Sequence, residues 1–238
     1  MRKKYFIHIF IVAVAICVPS LFAQPATKDE AVNLPFTGVY RAAAKTSVAR
    51  KGQTIAPLEQ YDSLSALLAT LPKDSVLRSK HPILKPGHIN APSSRFQEER
   101  RNVRIKDCWI IAVNYEKSHF VKGKNGKMRR SGDNDFHLVV SSLPQSANAK
   151  KMNMEVSGLP TMAGHDVEKL RKVRRDFLSM AKMPTAGKFR VFSPPIHARI
   201  EGSLFFDGEH TADQIAPAYH LTTTWEVHPI SKITRLVP

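Results

Sequence analysis

The chain has 238 residues, of which 42% are hydrophobic and 24% are charged, so its composition is that of a globular protein and excludes a fibrous or disordered one. Lysine and arginine number 36 against 20 acidic residues, and the formal charge of +16 favours polyanionic partners such as nucleic acid, anionic lipid or acidic glycan. With only two cysteines, Cys17 and Cys108, the chain cannot be a disulfide-rich scaffold and must be stabilised by a packed core.

The first 23 residues have the pattern of a secretory signal peptide. Three cations at positions 2–4 precede an apolar stretch over 5–18, small residues follow, and cleavage is expected after Ala23. The alternative is an uncleaved membrane anchor, but the apolar stretch is shorter than the ~20 residues that a spanning helix needs. We therefore expect export of residues 24–238 to the periplasm or the medium, with no membrane span after cleavage.

Residues 24–98 are expected to form an N-terminal extension. The part over 24–51 is rich in alanine, threonine, lysine and proline and has little periodicity, which predicts a flexible leader. Leucines at helical spacing follow until Pro72, so we predict a short amphipathic helix over 58–71. Prolines between 72 and 94 then indicate an extended connector. Such an extension could dock on the main domain or on a protein partner.

Residues 99–238 are expected to form the main domain. Runs of β-branched and aromatic residues predict five strands, and apolar positions spaced by three and four predict one long helix. The strands cover 108–115, 136–140, 152–156, 198–207 and 223–230 with Ile233, and the helix covers 166–183. A helix between strands three and four is the order of an OB-fold. We therefore predict a mainly β fold, a five-stranded OB-like barrel with a partly helical N-terminal extension, and a bulge at Gly202.

Three segments of this domain resemble a group of uncharacterised exported bacterial proteins. The segments are 133–140, 202–207 and 225–230. The shared features are an Asp-rich turn before a Phe/Tyr-His-Leu sequence and a late Glu-x-His-Pro motif. The resemblance covers residues 104–238 and implies a small OB-like barrel. It implies no activity, because that group has none to transfer.

The loop between the first two predicted strands carries most of the candidate ligand-binding residues. In OB-folds this loop and the one between strands four and five bind oligonucleotides or sugars. Cations neutralise phosphates, and an aromatic ring can stack on a base. The candidates are Phe120, Lys122, Lys124, Lys127, Arg129 and Arg130, with Tyr219 in the second loop. We expect a non-enzymatic binding domain for nucleic acid or acidic glycan, and the alternative is a solvated basic loop.

The predicted helix carries further cations opposite its apolar stripe. They are Lys169, Arg171, Lys172, Arg174, Arg175 and Lys182. A charged helix face of this kind is typical of solvent exposure, and it could also extend a track for a polyanion.

Acids and histidines at alternating strand positions form a second candidate site. Asp135 and His137 share a face of the second predicted strand, and Glu226 and His228 share a face of the fifth. The wider constellation comprises Asp133, Asp135, His137, Glu155, Asp207, His210, Glu226 and His228. If the two faces converge, the four side chains could hold a divalent metal that activates water against a phosphodiester. The other interpretation is a hydrogen-bonded structural cluster without a cofactor.

The sequence thus leaves alternative functions open. A metal-assisted phosphodiesterase or nuclease is one, and a structural or assembly partner in the cell envelope, acting through residues 24–98, is another. We find no nucleophile elbow, phosphate-binding glycine loop or dinucleotide fingerprint. The leading expectation is therefore a binding protein rather than an enzyme, with its ligand and oligomeric state undetermined.

Overall fold

The computed structural model describes residues 27–87, 91–122, 126, 128–161 and 166–237, with the backbone alone for 129–131. The signal peptide predicted over residues 1–23 lies outside the described residues. The helices are α1 (Lys28–Asn33), α2 (Ala42–Lys45), α3 (Leu64–Leu68), α4 (Asp74–Lys80), α5 (Val167–Met180) and α6 (Ala212–Ile215). The strands are β1 (Arg50–Lys51), β2 (Thr54–Ile55), β3 (Leu58–Tyr61), β4 (Asn102–Glu116), β5 (His119–Lys122), β6 (Met128–Ser131), β7 (Asp135–Ser141), β8 (Lys151–Val156), β9 (Arg190–Phe206) and β10 (Trp225–Arg235). Short 3-10 turns cover Gln97–Glu99 and Pro217–Tyr219.

The structure is mainly β, as predicted, and is dominated by one mixed sheet of six strands in the order β3-β4-β7-β8-β10-β9. In addition, β4 pairs with β9, the strand at the far end of that order. Most pairings are antiparallel, whereas β8 pairs with β10, and β3 with β4, in the parallel direction. Each of the strands β4, β7, β8, β9 and β10 therefore has two of the others as neighbours.

The five strands and the helix predicted for the main domain are all present, as β4, β7, β8, β9, β10 and α5. β9 begins at Arg190, well before the predicted start at residue 198, and runs through Pro194 and Pro195. Prolines interrupt a ladder of hydrogen bonds. Here they lie beside a register shift between Ile110 and Ala112 of the partner strand β4, so the ladder is already irregular where they occur.

Gly202 lies at the predicted bulge. On β10 three residue steps separate Val227 from Ile230, whereas two steps on β9 separate their partners Leu204 and Gly202. The extra residue brings β10 close to the glycine, because a Cβ built at Gly202 would lie 2.5 Å from the carbonyl oxygen of Pro229.

The main core lies between the sheet and α5. Alternate residues of the strands, among them Phe136 and Met154, pack there against Phe177 of the helix and Trp225 of β10. Cys108 is buried in the same core, as expected for a small hydrophobic residue. Among the helices of the described residues, none has the length and apolarity to cross a membrane.

The N-terminal extension is part of the same packed body. Ala31 and Val32 of α1 are buried in the main core, and Tyr40 and Ala44 pack on Phe205. The described part of the predicted flexible leader is therefore anchored, because its small apolar residues are covered by the sheet and helix. In place of a single helix over 58–71, the chain forms β3 beside β4 and then α3.

Three buried arginines join the extension to the main domain. Arg41 pairs with Glu99, and both side chains are fully buried. Arg95 donates hydrogen bonds to the carbonyl oxygens of Ser47 and His228, at 2.9 and 2.7 Å. Arg174 of α5 donates to main-chain carbonyl oxygens, including that of Ala31. The prediction that Arg174 lies on a solvated helix face is therefore wrong, because its guanidinium is satisfied inside the protein.

Candidate functional site

Polar side chains occupy the face of β7, β8 and β10 that points away from the main core. Successive side chains of a strand point to opposite faces of a sheet. Because residues such as Leu138, Met154 and Val227 pack in the core, the residues between them lie on the other face. They are Asp135, His137, Asn153, Glu155, Glu226 and His228. The register sets His137 opposite Glu155, and Glu226 opposite Asn153.

His228 lies among three carboxyl groups. Its Nε2 is 3.3 Å from Asp135 Oδ2, and its Nδ1 is 2.9 Å from Glu155 Oε2 and 3.7 Å from Glu226 Oε2. The side chains of all four are at most 2% exposed. Single ligand atoms of Asp135, Glu155 and His228 lie within 4.8 Å of one another, which is close enough for a shared ion.

Each carboxyl group has one oxygen held by a neighbouring donor. Asn153 Nδ2 donates to Glu155 Oε1 and Glu226 Oε1, both at 2.8 Å. The backbone N–H of Gly158 donates to Asp135 Oδ1. These donors fix the orientation of the carboxyl groups and turn their second oxygens toward His228.

The second oxygens make no hydrogen bond. Asp135 Oδ2, Glu155 Oε2, Glu226 Oε2 and both ring nitrogens of His228 are buried without a hydrogen-bond partner. The ring nitrogens lie at ion-pair distance from the carboxyl oxygens, but their geometry is not that of hydrogen bonds. Buried polar atoms of native proteins normally have partners, so this group of five is unusual.

Burial and mutual charge shift the acids of this cluster in different directions. Burial raises the pKa of Asp135 to about 6, although the contact with His228 acts in the opposite direction. Burial, together with the negative charge of Glu155, raises the pKa of Glu226 to about 7. Burial would also raise the pKa of Glu155, but the charges of His137 and His228 hold it well below its usual range. Near neutral pH, therefore, an ionised Glu155 lies beside carboxyl groups that retain protons more readily.

The neighbouring acids raise the pKa of both histidines. Burial would lower the pKa of His228, but Glu155 and the contact with Asp135 raise it well above its usual range. In the same way, Glu155 and Glu116 outweigh burial at His137 and raise its pKa to about 10.

The cluster meets solvent at one end. There His137 Nε2 lies 2.9 Å from Glu116 Oε2, and its Nδ1 lies 3.5 Å from Glu155 Oε1. The side chains of His137 and Glu116 are 16% and 41% exposed. At the other end the rings of Phe36 and Phe205 lie 6.5 and 5.7 Å from that of His228, centroid to centroid, so the N-terminal extension forms part of the cover.

A lysine of the extension adds positive charge beside the cluster. Lys45 Nζ lies 3.3 Å from Asp133 Oδ2, and the lysine side chain is only 10% exposed. Burial would lower the pKa of Lys45, but the surrounding acids, Asp133 and Glu155 foremost, raise it well above the usual value.

The structure brings the four predicted metal ligands Asp135, His137, Glu226 and His228 into one cluster. Glu155, which the sequence places in the wider constellation but not among the ligands, contacts both histidines and connects them. Asn153 was not predicted at all. The alternation in β8 could have indicated it, because the polar residues 153 and 155 alternate with the core residues Met152, Met154 and Val156.

The predicted ligand-binding loop is a β-hairpin made of β5 and β6, with Phe120 paired to Arg130 and Lys122 to Met128. Phe120 is 62% exposed, and Lys122 is also exposed. Lys124 and Lys127 lie outside the described residues, as do the side chains of Arg129 and Arg130. The base of the hairpin is the pair of Glu116 with Asp135, so the hairpin begins at the polar cluster.

Tyr219 lies elsewhere, in the loop between β9 and β10. Its ring packs against Phe189 at 5.2 Å between centroids, beside a small apolar cluster that includes Ala216 and Leu221. The structure therefore assigns Tyr219 a packing role and does not bring it to the hairpin.

No protein-family model matches this chain, and neither a curated protein nor a solved structure is significantly similar to it.

Proposed function

We propose that the five paired strands form an OB-like barrel, and that this protein binds a polyanion, single-stranded nucleic acid in particular, through the hairpin of β5 and β6. The barrel is supported by the pairing order β4-β7-β8-β10-β9 with β9 returning to β4, by the parallel pair β8–β10, and by α5 between the third and fourth of these strands. In OB-folds the hairpin's position, between strands one and two, is a ligand-binding loop.

The observation that carries the binding proposal is the charge of this hairpin. Residues 117–132 contain six cations and no acid. The cations are Lys117, Lys122, Lys124, Lys127, Arg129 and Arg130. Pairing of β5 with β6 holds the backbone of Lys122, Arg129 and Arg130 in one ribbon, and the other three cations are near them in sequence. Such a density of positive charge releases counterions when it meets phosphates, which is the main source of affinity for nucleic acids.

Phe120 favours nucleic acid over acidic glycan as the ligand. Base–aromatic stacking contributes about 1–3 kcal/mol per base and tolerates any sequence. The ring of Phe120 is 62% exposed on the basic hairpin, which suits such stacking. The export predicted from residues 1–23 would place this ligand outside the cytoplasm.

The test is fluorescence anisotropy with a labelled single-stranded oligonucleotide, measured over a range of salt concentrations. A variant with serine at 122, 124, 127, 129 and 130 should bind at least tenfold more weakly. Each lost phosphate contact reduces the slope of log K against log salt by about 0.7 for a single strand, so the slope should fall by up to about 3.5. Phe120→Ala should weaken binding about tenfold and leave the slope unchanged.

A variant of equal net charge provides the control. Lysines 51, 73, 85, 150 and 232 are exposed and lie away from the hairpin in sequence, and their replacement by serine removes the same charge. This variant should keep most of the affinity. Equal losses in both variants would show that net charge, not the hairpin, is responsible. Binding of a heparin oligosaccharide without binding of the oligonucleotide would overturn the choice of nucleic acid.

A further inference from the structure

We propose that Asp135, Glu155 and His228 bind a divalent cation of the Zn²⁺ or Mn²⁺ type. This site is separate from the polyanion-binding hairpin, so either proposal can fail without the other. The three side chains come from β7, β8 and β10, and one ligand atom of each lies within 4.8 Å of the others. Ligand atoms around one zinc ion, each about 2.1 Å from it, lie roughly 3.4 Å apart, so side-chain shifts of about 1 Å would complete the site.

The unsatisfied atoms of the cluster are the independent support. His228 is fully buried, and neither of its ring nitrogens makes a hydrogen bond. Asp135 Oδ2 and Glu155 Oε2, the oxygens nearest to the ring, are also buried without hydrogen bonds. A buried polar atom without a partner costs about 1–3 kcal/mol. A cation would displace the proton from one ring nitrogen, which passes to solvent, and would be bound by that nitrogen and both oxygens.

The groups that hydrogen-bond the carboxylates of the proposed site have the arrangement that is common around metal ligands. Asn153 and the backbone N–H of Gly158 hold the far oxygens of Glu155 and Asp135, and so leave the near oxygens to act as ligands. Donors of this kind, which orient ligating carboxylates, are a regular part of metal centres. Glu226 Oε2, 3.7 Å from His228 Nδ1, adds a further negative group next to the ring.

The donor set decides the type of ion. One imidazole with two carboxylates suits zinc or a similar first-row divalent ion. Ca²⁺ takes six to eight oxygen ligands, which this set does not provide. We limit the proposal to binding, because the three ligands are buried and the rings of Phe36 and Phe205 lie next to His228.

The experiment uses residues 24–238, the chain expected after cleavage, without an affinity tag. The protein is treated with EDTA and then titrated with Co²⁺ and Zn²⁺. We expect one equivalent of Co²⁺ to give the d–d absorption of a protein-bound ion, and Zn²⁺ to displace it. Glu155→Gln keeps the side-chain volume and should weaken Zn²⁺ binding at least tenfold. The matched control is Asp107→Asn, which removes a carboxyl group 2.7 Å from a histidine, His197, that is part of a more exposed pair. It should bind as the wild type does.

Two results would overturn the proposal: a wild-type protein that binds neither ion, or a Glu155→Gln variant that binds as tightly as Asp107→Asn. If Glu155→Gln does not fold, the wild type still decides. Substoichiometric Mn²⁺ should then broaden the NMR signals of the His228 ring selectively and leave those of His197 sharp. Uniform broadening, or none, would refute the site.

Discussion

Replacing Arg41 with methionine should loosen the N-terminal extension, because Arg41 is the buried partner of Glu99. The two guanidinium Nη atoms donate to the two carboxylate oxygens of Glu99, at 2.6 and 2.5 Å. Arg41 also donates to the carbonyl oxygens of Pro92 and Ser94. Its side chain and that of Glu99 are fully buried, so water cannot replace any of these bonds.

The expected cost follows from these contacts. Removing one partner of a buried ion pair costs about 3–5 kcal/mol, because the other charge stays buried without compensation. Glu99 would still accept hydrogen bonds from the backbone N–H groups of Phe96 and Phe206, at 2.7 and 2.8 Å, which places the cost at the lower end. We expect a loss of about 3 kcal/mol, and a Tm lower by about 10 °C for a protein of this size.

Urea denaturation, followed by the fluorescence of Trp109 and the buried Trp225, measures the free energy of unfolding. Lys106→Met removes a cation from a solvent-exposed pair with Asp62 and should leave the midpoint unchanged. The double variant of Arg41→Met with Glu99→Gln should regain part of the lost stability, because it removes the uncompensated charge. A change below about 1 kcal/mol in Arg41→Met would refute the argument, since it would mean that Glu99 tolerates burial alone.

Two further predictions concern a close contact and a titration. Gly202→Ala should destabilise the protein by about 1–3 kcal/mol, because a Cβ would lie 2.5 Å from the carbonyl oxygen of Pro229 and also contact Val227; an unchanged urea midpoint would contradict this. The contact with Asp207 raises the pKa of His210 from 6.5 to about 9, so the stabilisation from this pair is complete below pH 6.5 and is lost as the pH rises through 9. An NMR titration of the ring should show the raised pKa and its return toward 6.5 in Asp207→Asn, and an ordinary value in the wild type would contradict the pairing.

The periodicity of the sequence predicts the strands of the main domain and α5, because alternation and helical spacing are local properties of the chain. The same alternation places Asp135 with His137, and Glu226 with His228, on shared strand faces. It cannot predict which strands are neighbours. The parallel pairing of β8 with β10 is what inserts Glu155 and Asn153 between the two predicted pairs.

The extension was harder to predict because its stability is non-local. The leucines between residues 58 and 71 fit a helical spacing, yet β3 forms because β4 offers it a strand edge. Arg174 lies on α5 at a polar position, and only the fold shows that carbonyl oxygens of Ala31, Asn134 and Ser157 surround its guanidinium. The pattern of polar and apolar residues predicts that such an arginine is exposed, because the partners that bury it are remote in sequence.

The buried arginines Arg41, Arg95 and Arg174 reduce the part of the net charge that is available to a ligand. Of the excess of +16, Arg41 is neutralised by Glu99, while Arg95 and Arg174 serve internal carbonyl oxygens and cannot meet a ligand. Bulk charge is thus a weak argument for polyanion binding, and local density is a better one. The cations of residues 117–132 are adjacent in sequence, whereas most nearby acids are buried at the hairpin's base.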